Sequence, residues 1–116
     1  MLDGAFSRGT TPTNIFPLPP YVRLSDLEEY TITYRQKKKN ILIKTQDDTS
    51  DLDFLKGKNC IAIVLSQEET LMFDPSINIV EVQIKVRTVG SDVFTLGPYR
   101  LRLEDTFDTN EFDLSK

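Results

Sequence analysis

Positions 80, 82, 84 and 86 are Val, Val, Ile and Val, and the residues between and after them are Glu81, Gln83, Lys85 and Arg87. A period of two puts the aliphatics on one face of a strand and the charges on the other. A helix, with period 3.6, would scatter them around its axis. Such a strand belongs in a sheet with one covered face and one solvated face. It also fixes register, because a slip of one residue would turn all four aliphatics toward water.

The same period recurs elsewhere. Tyr30, Ile32 and Tyr34 alternate with Thr31, Thr33 and Arg35, so residues 29–36 read as a strand. Lys37, Lys38, Lys39 and Asn40 make a polar turn, and residues 41–45 resume as the second arm of a hairpin. Residues 46–59 form a polar loop with Asp47, Asp48, Asp51 and Asp53, on which Leu52, Phe54 and Leu55 are the apolar anchors. Residues 60–65 are a short continuous apolar run, expected as a strand covered on both faces. Residues 93–96 and 99–103 read as two further short strands separated by a bend at Gly97-Pro98.

Two capping boxes are expected. One pairs Ser25 with Glu28 and the other pairs Ser66 with Glu69, each opening about one turn of helix. Six or seven short strands with two helical turns indicate an all-β fold, a small antiparallel β-sandwich, with a barrel of the same strand count as the alternative. The chain has 116 residues, 39% of them apolar, which suits one domain with a modest core.

The two ends differ from this body. Residues 1–20 hold four of the six prolines, so they read as extended chain rather than helix. That extended N-terminal arm carries Phe6, Arg8, Ile15 and Phe16 as candidate partner-binding residues. It is open whether the arm is frayed, docks on a neighbour or forms a first strand. Residues 21–103 make the sandwich domain. Residues 104–116 make an acidic tail, with five acids against Lys116, a net of −4 that equals the net charge of the whole chain. Residues 1–103 are therefore neutral overall. Phe107, Phe112 and Leu114 give the tail apolar points with which to contact a partner, so it reads either as a disordered tail or as a docking segment for a basic neighbour.

What the chain lacks narrows its chemistry. With no His, every triad or dyad built on an imidazole is excluded, as are His-containing zinc sites. A single cysteine, Cys60, forms neither an intrachain disulfide nor a thiolate cluster, and its apolar surroundings suggest an inert thiol. The Asp loop departs from the spacing of a calcium loop at Phe54 and Leu55. Lys37, Lys38 and Lys39 read as a solvated turn that discourages edge pairing. Glu68 and Glu69 are adjacent and do not face one another as glycosidase carboxylates must. No catalytic, cofactor-binding or metal-binding residues are expected, and no cofactor. A neutral body does not suggest nucleic-acid binding. No apolar run is long enough for a membrane span, and the start lacks the pattern of a signal peptide.

Three stretches together carry a resemblance. They are Arg8-Gly9-Thr10-Thr11-Pro12-Thr13 with Ile15-Phe16-Pro17-Leu18-Pro19, then Leu65-Ser66-Gln67-Glu68-Glu69-Thr70-Leu71-Met72-Phe73, then Val82-Gln83-Ile84-Lys85-Val86-Arg87-Thr88-Val89-Gly90. In this order they resemble a family of small proteins encoded in phages and prophages of Gram-positive gut bacteria. That family is similar to the immunoglobulin-like N-terminal domain of phage upper-baseplate proteins. The resemblance spans about residues 8–96. It implies a non-enzymatic structural component of a phage particle, in tail, baseplate or neck, made in the host bacterial cytoplasm and located in the virion. It would assemble in multiple copies through its terminal arms, with other virion proteins and copies of itself as partners. On that reading, removing residues 1–12 or 104–116 leaves the body folded and abolishes assembly. The longer leader and acidic end depart from the family pattern. Two alternatives stand beside it: a carbohydrate- or host-surface-binding sandwich using Tyr21, Tyr30, Tyr34 or Tyr99, and a head-decoration protein.

Overall fold

The computed structural model describes residues 2–49, 56–104, 106 and 111. Among them are seven strands: β1 (Gly4–Ser7), β2 (Thr13–Pro17), β3 (Leu27–Gln36), β4 (Lys39–Thr45), β5 (Cys60–Val64), β6 (Ile79–Thr88) and β7 (Val93–Glu104). One short helix, α1 (Gln67–Leu71), and two 3₁₀ turns, at Leu24–Asp26 and Gln46–Asp48, complete the regular structure. The strands form a five-stranded sheet in the order β1-β7-β6-β3-β4 and a two-stranded sheet, β2-β5. This is an all-β sandwich: the inner faces of both sheets contribute to one apolar core.

The alternating segment is β6, in the middle of the large sheet, antiparallel to β3 on one side and β7 on the other. Val80, Val82 and Ile84 are fully buried and Val86 nearly so. Each such side chain contributes roughly 1.5–3 kcal/mol of burial, so the register that keeps all four inside is strongly preferred. Across from them, Tyr30, Ile32 and Tyr34 of β3 point the same way. Phe16, Ile61 and Ile63 face them from the small sheet. Residues 61–63 are covered as the apolar run implied, whereas Val64 is exposed.

Two expectations are corrected, and one that the sequence left open is decided. Ser25 caps nothing: the 3₁₀ turn starts one residue earlier, after Arg23, and no side chain caps it. The Asn59 carboxamide organises this connection instead, accepting from the Leu24 N–H and donating to the Val22 carbonyl. Residues 93–103 are one long strand, not two. Gly97 and Pro98, joined by a cis peptide, bulge opposite Gln83, and pairing resumes at Tyr99. The N-terminal segment, left open between a frayed end, a docking arm and a first strand, supplies two strands of the fold between residues 2 and 20. β1 pairs in parallel with β7, and β2 pairs antiparallel with β5.

The hairpin between β3 and β4 turns tightly. Gln36 pairs with Lys39, leaving only Lys37 and Lys38 in the loop, with φ of 46° and 69°. Two positive φ angles in a two-residue loop define a turn that favours Asn-Gly. The double variant Lys37→Asn/Lys38→Gly therefore should stabilise the protein by about 0.5–1 kcal/mol. Thermal and urea denaturation of the purified variant measure it.

Candidate functional site

The sequence singled out seven partner-binding candidates, and the structure separates them. Phe107, Phe112 and Leu114 lie outside the described residues. Phe6 and Phe16 are in the core of their own chain, 4% and 1% exposed. Phe6 packs edge-on against Phe73, and Phe16 against Tyr34 and Tyr99. Neither ring is offered to a partner. The reason is the alternation within β1 and β2, which sends every second residue inward. Ile15, the neighbour of Phe16, is the residue β2 turns outward.

Arg8 holds the fold's own chain. Its Nε donates to the Phe73 carbonyl at 2.9 Å and a terminal nitrogen donates to the Leu71 carbonyl at 3.2 Å. These carbonyls end α1, where a cation is favoured. Gly9 N–H donates to the Thr70 hydroxyl at 2.8 Å, which has the Thr10 carbonyl as an acceptor at 3.1 Å. Leu65 N–H closes the set on the Pro12 carbonyl. The first two stretches that carry the resemblance are thus bonded to one another, and the third is β6 with its following turn. They build the scaffold. A chain lacking residues 1–12 would lose Phe6, β1 and this clamp, so its body should not remain intact as expected from sequence.

The helix beside the clamp follows its sequence. Ser66 accepts from Glu69 N–H, and the Glu69 carboxylate accepts from Ser66 N–H, a complete capping box. The same carboxylate pairs with Lys44 of β4. Partial burial pushes its pKa up, but hydrogen bonds from Lys44 and from the Ser66 backbone outweigh this and hold it below the usual carboxylate range. A depressed folded-state pKa adds stability that is present above the unfolded value and lost as pH falls through the folded one. Glu69→Gln keeps the cap but removes the charge. It should cost roughly 0.5–1 kcal/mol at pH 7, screened by water. The gap to the wild type should close at pH below about 4, measured by urea titrations across pH.

Other candidates resolve into structural roles. The Thr45 hydroxyl and the Asp48 carboxylate form a further capping box at the 3₁₀ turn after β4, a use of the Asp loop that sequence reading missed. Asp51 and Asp53, with Leu52, Phe54 and Leu55, lie outside the described residues. Among the described residues no group of three His, Cys, Asp or Glu side chains is placed to hold a metal ion. Cys60 is half-buried on the outward side of β5, opposite Pro17, rather than in the core. Tyr34 donates to the Asn14 carboxamide oxygen at 2.7 Å, and its pKa is raised by burial and by the charge of Glu69. Tyr99 donates to the Pro17 carbonyl. Of the four tyrosines only Tyr21 exposes most of its ring, at 84%, so they do not form the stacking platform a sugar would need.

The outer face of the large sheet was legible but not singled out. Its rows run across the strands by register: Arg35, Glu81 and Arg100; Thr33 and Gln83; Thr31, Lys85 and Thr95; Glu29, Arg87 and Val93. Arg102 lies beyond Arg100, opposite Ile79 and beside Ala5 of β1. Five bases, Arg35, Lys85, Arg87, Arg100 and Arg102, meet four acids, Glu28, Glu29, Glu81 and Glu104, so the face is mixed in charge. Arg87 is paired with Glu28 and Glu29. A groove of about 350 Å³ crosses the face, lined by Thr33, Arg35, Glu81, Gln83 and Pro98. The sequence signal was the polar half of the alternation, which places charges on one surface once strand neighbours are known.

Comparisons with protein-family models, with curated proteins and with solved structures find no match. No helix among the described residues is long and apolar enough to cross a membrane.

Proposed function

We propose that this chain is a non-enzymatic structural component of a phage particle, in tail, baseplate or neck, built as an immunoglobulin-like sandwich and present in multiple copies. The observation that carries this reading is the strand order. In the immunoglobulin arrangement the B and E strands share one sheet and the C, F and G strands share the other, which some members extend by C′. Here β2 and β5 take the places of B and E, while β3, β4, β6 and β7 take those of C, C′, F and G. β1 adds itself alongside β7. This agrees with the fold that the sequence resemblance implies. The Cys pair and the Trp of antibody domains are missing, and Phe16, Ile32 and Tyr34 fill the space between the sheets instead.

A scaffold role also suits the side chains. The polar residues that are buried, Asn14, Gln36, Gln67 and Thr70, have bonding partners within the fold rather than lining a cleft. Quantitative mass spectrometry of phage particles purified from a lysogen encoding this chain tests the proposal. The chain is expected at a fixed multiple-copy ratio to the other particle proteins. Its absence from particles, while the cell makes it, would sink the reading.

A further inference from the structure

One groove on the large sheet holds polar side chains that the fold leaves unused. It has a volume of about 350 Å³ and is lined by Thr33 and Arg35 of β3, Asn40 of β4, Glu81 and Gln83 of β6, and Pro98 in the bulge of β7. Register brings them together. Asn40, Arg35 and Glu81 form one row across three strands, Thr33 and Gln83 form the next, and Pro98 bulges opposite Gln83. Strands about 4.8 Å apart and rows about 7 Å apart make this a patch of roughly 10 by 7 Å. Among the described residues, none of the five polar side chains has a hydrogen-bond or ion-pair partner. Glu29 and Arg87 give the contrast: they face one another across the same two strands and are bonded at 3.3 Å. Arg35 and Glu81 are register partners in the same way, yet they do not pair.

We infer that this groove binds a neutral saccharide, one or two pyranose rings in size, through its hydroxyl groups. The lining selects among ligand classes. It holds one base and one acid, so it offers no surplus of positive charge to a phosphate or a polyanion. One carboxylate is too few for a calcium or magnesium ion, which takes about six oxygen ligands or more. The groove lies across the face of the sheet rather than along an edge, so it gives an extended peptide no main-chain bonds. A purely apolar ligand would strip water from the polar side chains and return no hydrogen bond. The ligand must therefore donate to one group and accept from its neighbour. Glu81 only accepts, Arg35 only donates, and Thr33, Asn40 and Gln83 do both. Adjacent sugar hydroxyls, each a donor and an acceptor, meet that requirement. An amino-acid zwitterion satisfies the two charges but leaves the three neutral groups unused. The apolar platform that the tyrosines do not form is supplied by Pro98 and by Ile43, which is opposite Thr33 and 55% exposed. They stand at the two ends of the Thr33–Gln83 row, where they can cover the C–H face of a sugar ring. The volume is near the lower end of small-molecule sites, about 300–1,000 Å³, which suits a short saccharide rather than a long chain. This binding function does not depend on the particle role proposed above.

The test is an NMR titration of the full ¹⁵N-labelled chain with methyl glucoside, methyl galactoside, methyl mannoside and N-acetylglucosamine, and separately with inorganic phosphate and glycine. At least one of the sugars is expected to shift the backbone amides of Thr33, Arg35, Asn40, Glu81 and Gln83 to saturation, while phosphate and glycine do not. In the Arg35→Ala/Glu81→Ala variant the affinity for that sugar should fall about tenfold or more, the effect of losing hydrogen bonds to charged groups. Amides of the small sheet report whether the variant keeps its fold, and the wild-type shift map decides the matter if it does not. No sugar moving the groove amides would overturn the inference. So would phosphate or glycine saturating them as tightly as a sugar, shifts centred on Tyr21 instead, or a folded variant that binds as well as the wild type.

Discussion

Phe16→Ala should destabilise the protein by about 3–5 kcal/mol, while Ile15→Thr should cost at most about 1 kcal/mol. The two residues are adjacent in β2 and both are large and apolar. They differ in the face they occupy. Phe16 is 1% exposed and its ring meets Tyr34 at 6.1 Å and Tyr99 at 5.1 Å between centroids. Truncating it removes the burial of a phenyl ring and leaves a cavity between rings held in place by Tyr34→Asn14 and Tyr99→Pro17 hydrogen bonds, which limit collapse. Ile15 is 39% exposed and opposite Ala62 on the outward side. Threonine keeps its β-branched shape there. Since folded domains are stable by only about 5–15 kcal/mol, the first variant takes a large share of the total. Urea unfolding followed by tyrosine fluorescence measures both. A reversed order of effects would mean that β2 is shifted by one residue against β5.

Much of the fold was legible because it rests on local pattern. The β3 and β6 alternations name their own buried residues, and the Ser66–Glu69 box names its helix. The arm was harder. Its prolines mark extended chain, but extension alone does not say whether the partner strand lies in the same molecule. The deciding contacts, Arg8 with Phe73 and Gly9 with Thr70, span 65 and 61 residues and leave no local trace. Gln36 shows the same limit. It reads as a polar residue at a strand end, yet it is 2% exposed. Its carboxamide donates to the carbonyls of Asp74 and Ile77 and accepts from Asp74 N–H. The charged outer face was half legible. β6 gave its polar residues, but their addition to Arg35, Arg100 and Arg102 depends on the strand order, which periodicity does not encode.

Gly97→Ala should destabilise by about 2–4 kcal/mol, the second large effect and one that composition would not suggest. Gly97 sits in the bulge of β7 with φ of +98°, a region L side chains rarely adopt. A Cβ there would also lie 2.9 Å from both the Val82 carbonyl oxygen and the Tyr99 nitrogen. Both are backbone atoms of strands locked by pairing, so neither can yield without moving β6 against β7. Gly57 separates the two costs. Its φ is +77°, but a Cβ would meet nothing within 4 Å. Gly57→Ala should therefore cost only the left-handed backbone penalty, about 1–2 kcal/mol. The excess at Gly97 measures how rigidly the bulge is held. Parallel denaturation of the two variants gives that difference, and equal effects would show that the bulge relaxes freely. The bulge forms part of the wall of the groove on the outer face, through Pro98 beside Gln83.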